Sequence, residues 1–238
     1  MRFALLAGLA ATVLTGSGCY LETYGDYLIE GPPLARITTS LGEFVVELNP
    51  DAAPVTVANF RSYAESGFYD GTIFHRVIAG FVVQGGGYVP GLVEKEPRSD
   101  PIVLESYNGL RNLRGTIAMA RTTDPNSAQA QFFVNLVDND SLDPTLTQPG
   151  YAVFGAVVSG MEVVDAIGAV TTAAVDDNFD AVPAEDVIIV RVSIETGEKV
   201  ANPLWEAYFD SYLEGVQYEF LTLLRSTLVS TLTNEIAR

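Results

Sequence analysis

The stretch Phe74-His75-Arg76-Val77-Ile78-Ala79-Gly80-Phe81-Val82-Val83-Gln84-Gly85-Gly86 decides how this chain is read. Its first five residues favour a strand, yet they carry a guanidinium that is costly to bury without a partner. Gln84 then adds an amide, and glycines close the run. An arginine, an amide and phenylalanines together suit an uncharged peptide ligand, so the cluster marks a site and not merely a strand.

Composition bounds the rest. A chain of 238 residues with 48% hydrophobic content buries one sizeable core, and one domain with appendages is simpler than two small domains. Lys and Arg total 13 against 30 Asp and Glu, a net charge of −17. No basic stripe is available to neutralise phosphates, which sets nucleic acid aside as a partner. The same charge repels an anionic bilayer, so any membrane attachment needs another source.

The N-terminus supplies one. Met1-Arg2-Phe3 carries a positive charge, residues 4–14 are apolar but too short to span a bilayer, and the small residues Thr15-Gly16-Ser17-Gly18 lead to Cys19. Residues 1–18 read as a secretory signal peptide. Cys19, the one cysteine, sits at the cleavage point, which resembles the lipobox of bacterial lipoproteins, although Leu14 lies further from it than the usual lipobox leucine. An ordinary signal with an incidental cysteine is the alternative. The lipoprotein reading implies an exported protein, lipid-anchored to the bacterial cell envelope through Cys19. Residues 19–33 then form a tether ending in Gly31-Pro32-Pro33, a stiff extended spacer.

Residues 34–39 and 43–48 are β-branched apolar runs around Ser40-Leu41-Gly42 and predict a hairpin. Val57, Phe60 and Ala64 recur at helical spacing and predict a helix over 55–66, with Gly67 as its C-terminal cap. Further strands are expected at 72–77, 81–84, 115–120, 131–136, 152–158 and 187–194, and a short helix at 161–167. Many strands, few helices and frequent Gly/Pro breaks argue for a mainly β, antiparallel barrel or sandwich. After Glu195, Trp205, Phe209, Tyr212, Val216, Phe220 and Leu223 fall near one face with acidic residues interleaved. A long amphipathic C-terminal helix is the natural reading, packed on its own barrel or serving as a dimer or partner contact through 202–238.

The opening stretch strongly resembles the signature of the cyclophilins, the peptidyl-prolyl cis-trans isomerases. The likeness continues in Asn108-Gly109-Leu110-Arg111-Asn112-Leu113-Arg114-Gly115-Thr116-Ile117-Ala118-Met119-Ala120-Arg121, in Ser127-Ala128-Gln129-Ala130-Gln131-Phe132-Phe133-Val134-Asn135 and in Gly150-Tyr151-Ala152-Val153-Phe154-Gly155. It covers 34–195 and leaves 196–238 as a helical extension. It implies a closed eight-stranded antiparallel β-barrel capped by two helices, no cofactor, and proline-containing polypeptides as partners.

The activity implied is isomerisation of Xaa-Pro bonds in exported proteins, assisting folding. The barrier is about 18–20 kcal/mol because the amide C–N bond has partial double-bond character. A catalyst needs only to favour the twisted state, in which the proline nitrogen turns pyramidal and accepts a hydrogen bond. Arg76 suits that donor role, with a charge fixed at physiological pH and a planar fork. The other reading of Arg76 is a structural ion pair with one of the many carboxylates. By resemblance, Phe81, Val82, Phe133 and Leu142 line the pocket for the proline ring, and Gln84 and Gln131 hydrogen-bond the flanking peptide. Ala120, Arg121 and Thr122 grip the backbone ahead of the proline, and the Tyr151 hydroxyl hydrogen-bonds near the site. Phe132 and Phe133 point to opposite faces of a strand, so one of the two faces the pocket, and the resemblance selects Phe133. Ser141 stands where an aromatic residue is usual, which puts cyclosporin binding in doubt, and Gly87 stands where an acidic residue often follows the glycine pair.

Other chemistries are weaker. One His and one Cys cannot build a structural zinc site. Nothing around the serines resembles a nucleophile elbow, so His75 reads as a hydrogen-bonded structural residue. The run Asp138-Asn139-Asp140-Ser141-Leu142-Asp143 lacks a calcium loop's turn glycine and closing glutamate and reads as a solvated turn. A proline-peptide-binding or chaperone module with little turnover is the remaining alternative, and Arg76 argues against it, since a pure binder needs no guanidinium over the proline nitrogen.

Overall fold

The computed structural model describes residues 31–176 and 179–197, excluding the side chains of residues 196 and 197. The signal segment, Cys19 and the helix expected over 202–238 lie outside the described residues.

The predicted hairpin is β1 (Gly31–Thr39) and β2 (Gly42–Leu48), with Leu34 opposite Glu47 and Thr39 opposite Gly42. Residues 31–33, read above as the end of the tether, belong to β1 instead. Gly31 faces Gly197 and Pro33 faces Thr196, with an irregularity between them where Pro32 has no N–H to give the ladder.

Helix α1 (Pro54–Glu65) buries Thr56, Val57, Phe60, Tyr63 and Ala64, the face its spacing predicted. Its N-cap is Ala53, which has no side-chain acceptor, and Glu105 takes over from a distant loop. One carboxylate oxygen accepts the Val55 N–H at 3.1 Å, the other the Thr56 N–H at 2.8 Å and its hydroxyl at 2.7 Å. Two orphan donors are thereby satisfied by a negative charge at the positive end of the helix.

The remaining elements are β3 (Thr72–Ile73), β4 (Arg76–Ile78), β5 (Val82–Gly85), β6 (Tyr88–Val89), β7 (Val93–Glu94), β8 (Thr116–Met119), β9 (Phe132–Asn135), β10 (Val153–Ser159), α2 (Met161–Gly168), β11 (Thr172–Ala173), β12 (Val182–Pro183) and β13 (Ile188–Gly197). Among the described residues, eleven strands pair in the order β4-β5-β9-β8-β10-β2-β1-β13-β3-β6-β7, and β11 pairs with β12 separately. The count exceeds eight partly because the single strand expected over 72–77 is broken. Phe74 and His75 belong to no strand, and there the chain leaves β13 for β5. β3 and β4 are consecutive in the chain yet sit far apart in the strand order, so the antiparallel sheet must curl.

The strands near β5 and β9 separate two apolar clusters. Val83, Ile117, Phe132 and Val134 join Phe60, Tyr69 and Phe154 in the main core. Their sequence neighbours Val82, Ala118 and Phe133 form a second, smaller cluster on the opposite face. Phe132 packs edge-on against Tyr69 at 5.5 Å and 86°, and Phe133 belongs to the second cluster, as the alternation argument required of one of the pair.

Candidate active site

Strand registers set the geometry. Arg76 lies opposite Gln84, Gln84 opposite Phe133, Phe133 opposite Ala118, and Ala118 opposite Val153. Directly paired residues share a face, and strands repeat at about 4.8 Å, so a guanidinium, an amide and an aromatic ring line up within about 10 Å.

The apolar end of this row is the second cluster. Phe81, Leu142, Tyr151 and Ala120 pack against Val82 and Phe133, together with Leu110, Ala118, Val153 and Ala52. Every apolar residue expected in the pocket is here. The Phe133 and Tyr151 rings meet edge to face at 5.5 Å and 81°. Behind them runs a network of buried amides. Asn139 Nδ2 donates to the Phe81 carbonyl at 3.0 Å and to Asn135 Oδ1 at 2.7 Å, and Asn112 Nδ2 donates to the Leu142 carbonyl at 3.2 Å. The network fixes two pocket walls through their backbones, and satisfied buried amides are rigid.

The polar end is a groove lined by Gln84, Gly87, Ala120, Arg121, Thr122 and Gln131, and it reaches Glu94 and Lys95. Ala120 belongs to both groove and apolar cluster. Gln84 Nε2 donates to Gln131 Oε1 at 3.1 Å. Arg121 sends Nε and Nη2 to the Gly150 carbonyl at 3.0 and 2.9 Å and Nη1 to the Thr122 carbonyl at 2.8 Å, and its guanidinium lies 4.5 Å over the Tyr151 ring. Arg121 therefore braces the groove wall. Thr122 is held by Ser127 Oγ, which accepts its N–H at 2.9 Å.

Two glycines shape the corner between β5 and β6. Gly86 has φ +84° and a Cβ there would stand 2.9 Å from both the Phe132 and Tyr69 rings. At Gly87 a Cβ would fall 2.4 Å from Gln131 Cγ, so the amide occupies the space that a side chain at 87 would need.

Arg76 is one-third exposed, and its Nε donates to Asp180 Oδ1 at 3.2 Å. The ion pair that stood as the alternative for Arg76 thus exists, but it engages Nε and, among the described residues, leaves the Nη1 and Nη2 ends. Nothing in the sequence pointed to Asp180, which lies 104 residues away. His75 is buried against the Tyr88 ring at 4.6 Å, with Nδ1 unpartnered among the described residues, and the hydrogen bonding expected of it involves Gln131. Burial pushes its pKa down to about 4, with neighbouring Arg76 adding to the effect and contacts to Ile73 and Gln131 opposing it.

The solvated turn expected at 138–143 needs correction. Asp140–Leu142 is a 3-10 turn, and Ser141 on it is exposed, but Asn139 is buried and Asp143 Oδ1 accepts the Asn112 N–H at 2.7 Å. Asn139 and Asp143 are thus turned to the protein, whereas Asp138, Asp140 and Ser141 are exposed as expected. Among the described residues, no three His, Cys, Asp or Glu groups are gathered so as to hold a metal ion.

This arrangement supplies a fixed cation and amide donors beside an apolar pocket sized by two rings, which is equipment for holding and polarising a peptide. Comparison with known proteins gives it a family. The model for cyclophilin type peptidyl-prolyl cis-trans isomerases matches residues 34–194. Peptidyl-prolyl cis-trans isomerase B of Escherichia coli is 52% identical over 159 residues, covering 66% of this chain and 96% of that protein. A peptidyl-prolyl cis-trans isomerase of Acinetobacter baylyi is 46% identical over 176 residues, covering 72% and 93%. Among solved structures, a Cryptosporidium parvum cyclophilin type isomerase superposes with a TM-score of 0.59 at 28% identity, over 69% of this chain and 98% of that one. With the matched region spanning every strand that builds the row from Arg76 to Val153, this chain belongs to the cyclophilin-type peptidyl-prolyl cis-trans isomerase family.

Proposed function

We propose that this chain accelerates cis–trans isomerisation of Xaa-Pro bonds in exported polypeptides and so assists their folding. The observation that carries the reading is the cross-strand row of Arg76, Gln84 and Phe133, which sets a guanidinium donor beside an apolar pocket. The proline ring enters among Phe81, Val82, Phe133 and Leu142. Gln84 and Gln131, with Ala120, Arg121 and Thr122, flank the extended chain ahead of it. Arg76 donates to the proline nitrogen as resonance is lost, a contact available only in the twisted state, which is the condition for catalysis over mere binding. The run that joins β3 to β4 also supports closure of the curled sheet into a barrel.

The reading is tested by the cis-to-trans rate of a short Xaa-Pro peptide with the protein present. Acceleration supports it, and a folded protein without acceleration turns the groove into a peptide-binding module. We also propose that Cys19 is lipidated and anchors the protein to the cell envelope, on the strength of the 4–14 apolar run and the small residues before the cysteine. Membrane fractionation of the wild type beside Cys19→Ala decides this, because the variant is expected in the soluble fraction with its activity intact. The 202–238 segment is proposed as a dimer or partner contact, which its deletion followed by a measurement of oligomeric state examines.

A further inference from the structure

We propose that Asp180 is a positioning residue that sets the direction of the Arg76 guanidinium, an inference that rests on the isomerase reading of the same groove. Its Oδ1 accepts from Arg76 Nε at 3.2 Å. An ion pair at a surface, with Arg76 one-third exposed and Asp180 62% exposed, would ordinarily mean little, but here the backbone around each is tied to the backbone around the other. The Ala181 carbonyl, just after Asp180, accepts the N–H of Val77, just after Arg76, at 2.9 Å. Phe179, just before Asp180, sets its ring edge-on to Tyr88 at 5.3 Å and 84°, and Tyr88 in turn lies against His75, just before Arg76. Further bonds hold the approach to Asp180: the Phe179 N–H reaches Asp176 Oδ1 at 3.1 Å, and the Phe179 carbonyl accepts from Val175 at 2.8 Å. On the other side Val182 and Pro183 are buried in β12. The carboxylate is therefore delivered to Nε from a segment fixed at both shoulders.

The choice of Nε matters chemically. A guanidinium is planar, so a bond at Nε restricts rotation of the whole fork while Nη1 and Nη2 stay available to the peptide. Proline isomerisation transfers no proton and breaks no covalent bond between atoms, so the angle at which a donor meets the pyramidal nitrogen governs the rate. Asp180 acts through that angle. Because Asp180 is exposed, the effect is modest, about threefold to fivefold in kcat.

The experiment compares wild type, Asp180→Ala and Asp180→Asn as full chains on one Xaa-Pro peptide, with thermal unfolding alongside. Asp180→Ala is expected to lower kcat by about threefold to fivefold with KM and thermal midpoint unchanged. Asp180→Asn keeps an acceptor oxygen and is expected to retain the wild-type kcat. The Arg76 Nε–H resonance in a nitrogen-15 spectrum should move in the alanine variant and stay in the asparagine variant. An unchanged kcat in Asp180→Ala, a change in KM alone, or an asparagine variant as impaired as the alanine one overturns the inference while the isomerase reading stands. A wild type that does not accelerate the peptide overturns both.

Discussion

Arg76 and Gln84 stand directly opposite each other across β4 and β5, and Gln84 in turn donates to Gln131 at 3.1 Å. Charge, amide and amide are thus linked by register and one hydrogen bond, on the face that carries Phe133. If Arg76 supplies the transition-state donor, its loss removes an interaction made only in the twisted state. Arg76→Ala is expected to lower kcat/KM by about a hundredfold or more. The fold should persist, because the ion pair lost with it is partly exposed and contributes within about 1 kcal/mol. Peptide isomerisation with circular dichroism of the same samples checks both halves.

Gly87 and Gln131 compete for one volume. An alanine methyl at 87 would sit 2.4 Å from Gln131 Cγ, and the backbone cannot yield far with the buried Gly86 beside it. The amide has to swing away, breaking its bond with Gln84. Gly87→Ala is expected to raise KM several-fold, as one peptide-facing hydrogen bond of about 1 kcal/mol is lost, with kcat nearly intact. Equal KM values for variant and wild type would sever Gln131 from peptide binding.

Tyr151 works through its ring. The face of that ring carries the Arg121 guanidinium at 4.5 Å, and it meets Phe133 at 5.5 Å. No described residue hydrogen-bonds its hydroxyl, and its ring makes the contacts. Tyr151→Phe is therefore expected to behave like wild type in rate and stability. Tyr151→Ala removes the platform under Arg121 and one side of Phe133, and about 1–2 kcal/mol of contact with it, raising KM about tenfold. A Tyr151→Phe variant as impaired as Tyr151→Ala would restore the hydroxyl to the mechanism.

The parts of this site that the sequence revealed are those with a local signal. Alternation told Phe132 from Phe133 as opposite faces, and helical spacing placed Val57, Phe60 and Ala64 on one side of α1. The resemblance then chose among faces that periodicity leaves equivalent. What stayed hidden depends on contacts that no local pattern encodes. Asp180 reaches Arg76 across 104 residues. Glu105 caps α1 from 49 residues beyond Thr56. The run 138–143 looked solvated because its composition is polar, yet Asn112, Asn135 and Asn139 satisfy one another indoors, and only the fold decides whether a polar residue's partner is water or another amide. The break at Phe74-His75 was invisible for a related reason, since β-branched residues on both sides read as one continuous strand.

His75 offers the sharpest dependence on pH, because it is the sole histidine in the chain and its titration is unambiguous. Unfolded, it takes up a proton near 6.5; folded, burial and the adjacent Arg76 hold it neutral down to about 4. Between these values the unfolded state binds more protons, so stability rises with pH. The contribution is fully present above 6.5 and lost as pH falls toward 4, on the order of 3 kcal/mol across the window. Carboxylates titrate in the lower part of that range too, so the comparison has to be made against a variant. His75→Gln, which cannot ionise, is expected to show a flatter decline of unfolding free energy between pH 6.5 and 4 than wild type, and the imidazole carbon-bound protons of the wild type should titrate near 4 by nuclear magnetic resonance. A midpoint near 6.5 with parallel stability curves would mean that the ring has access to water and that Arg76 has no buried neutral neighbour beneath it.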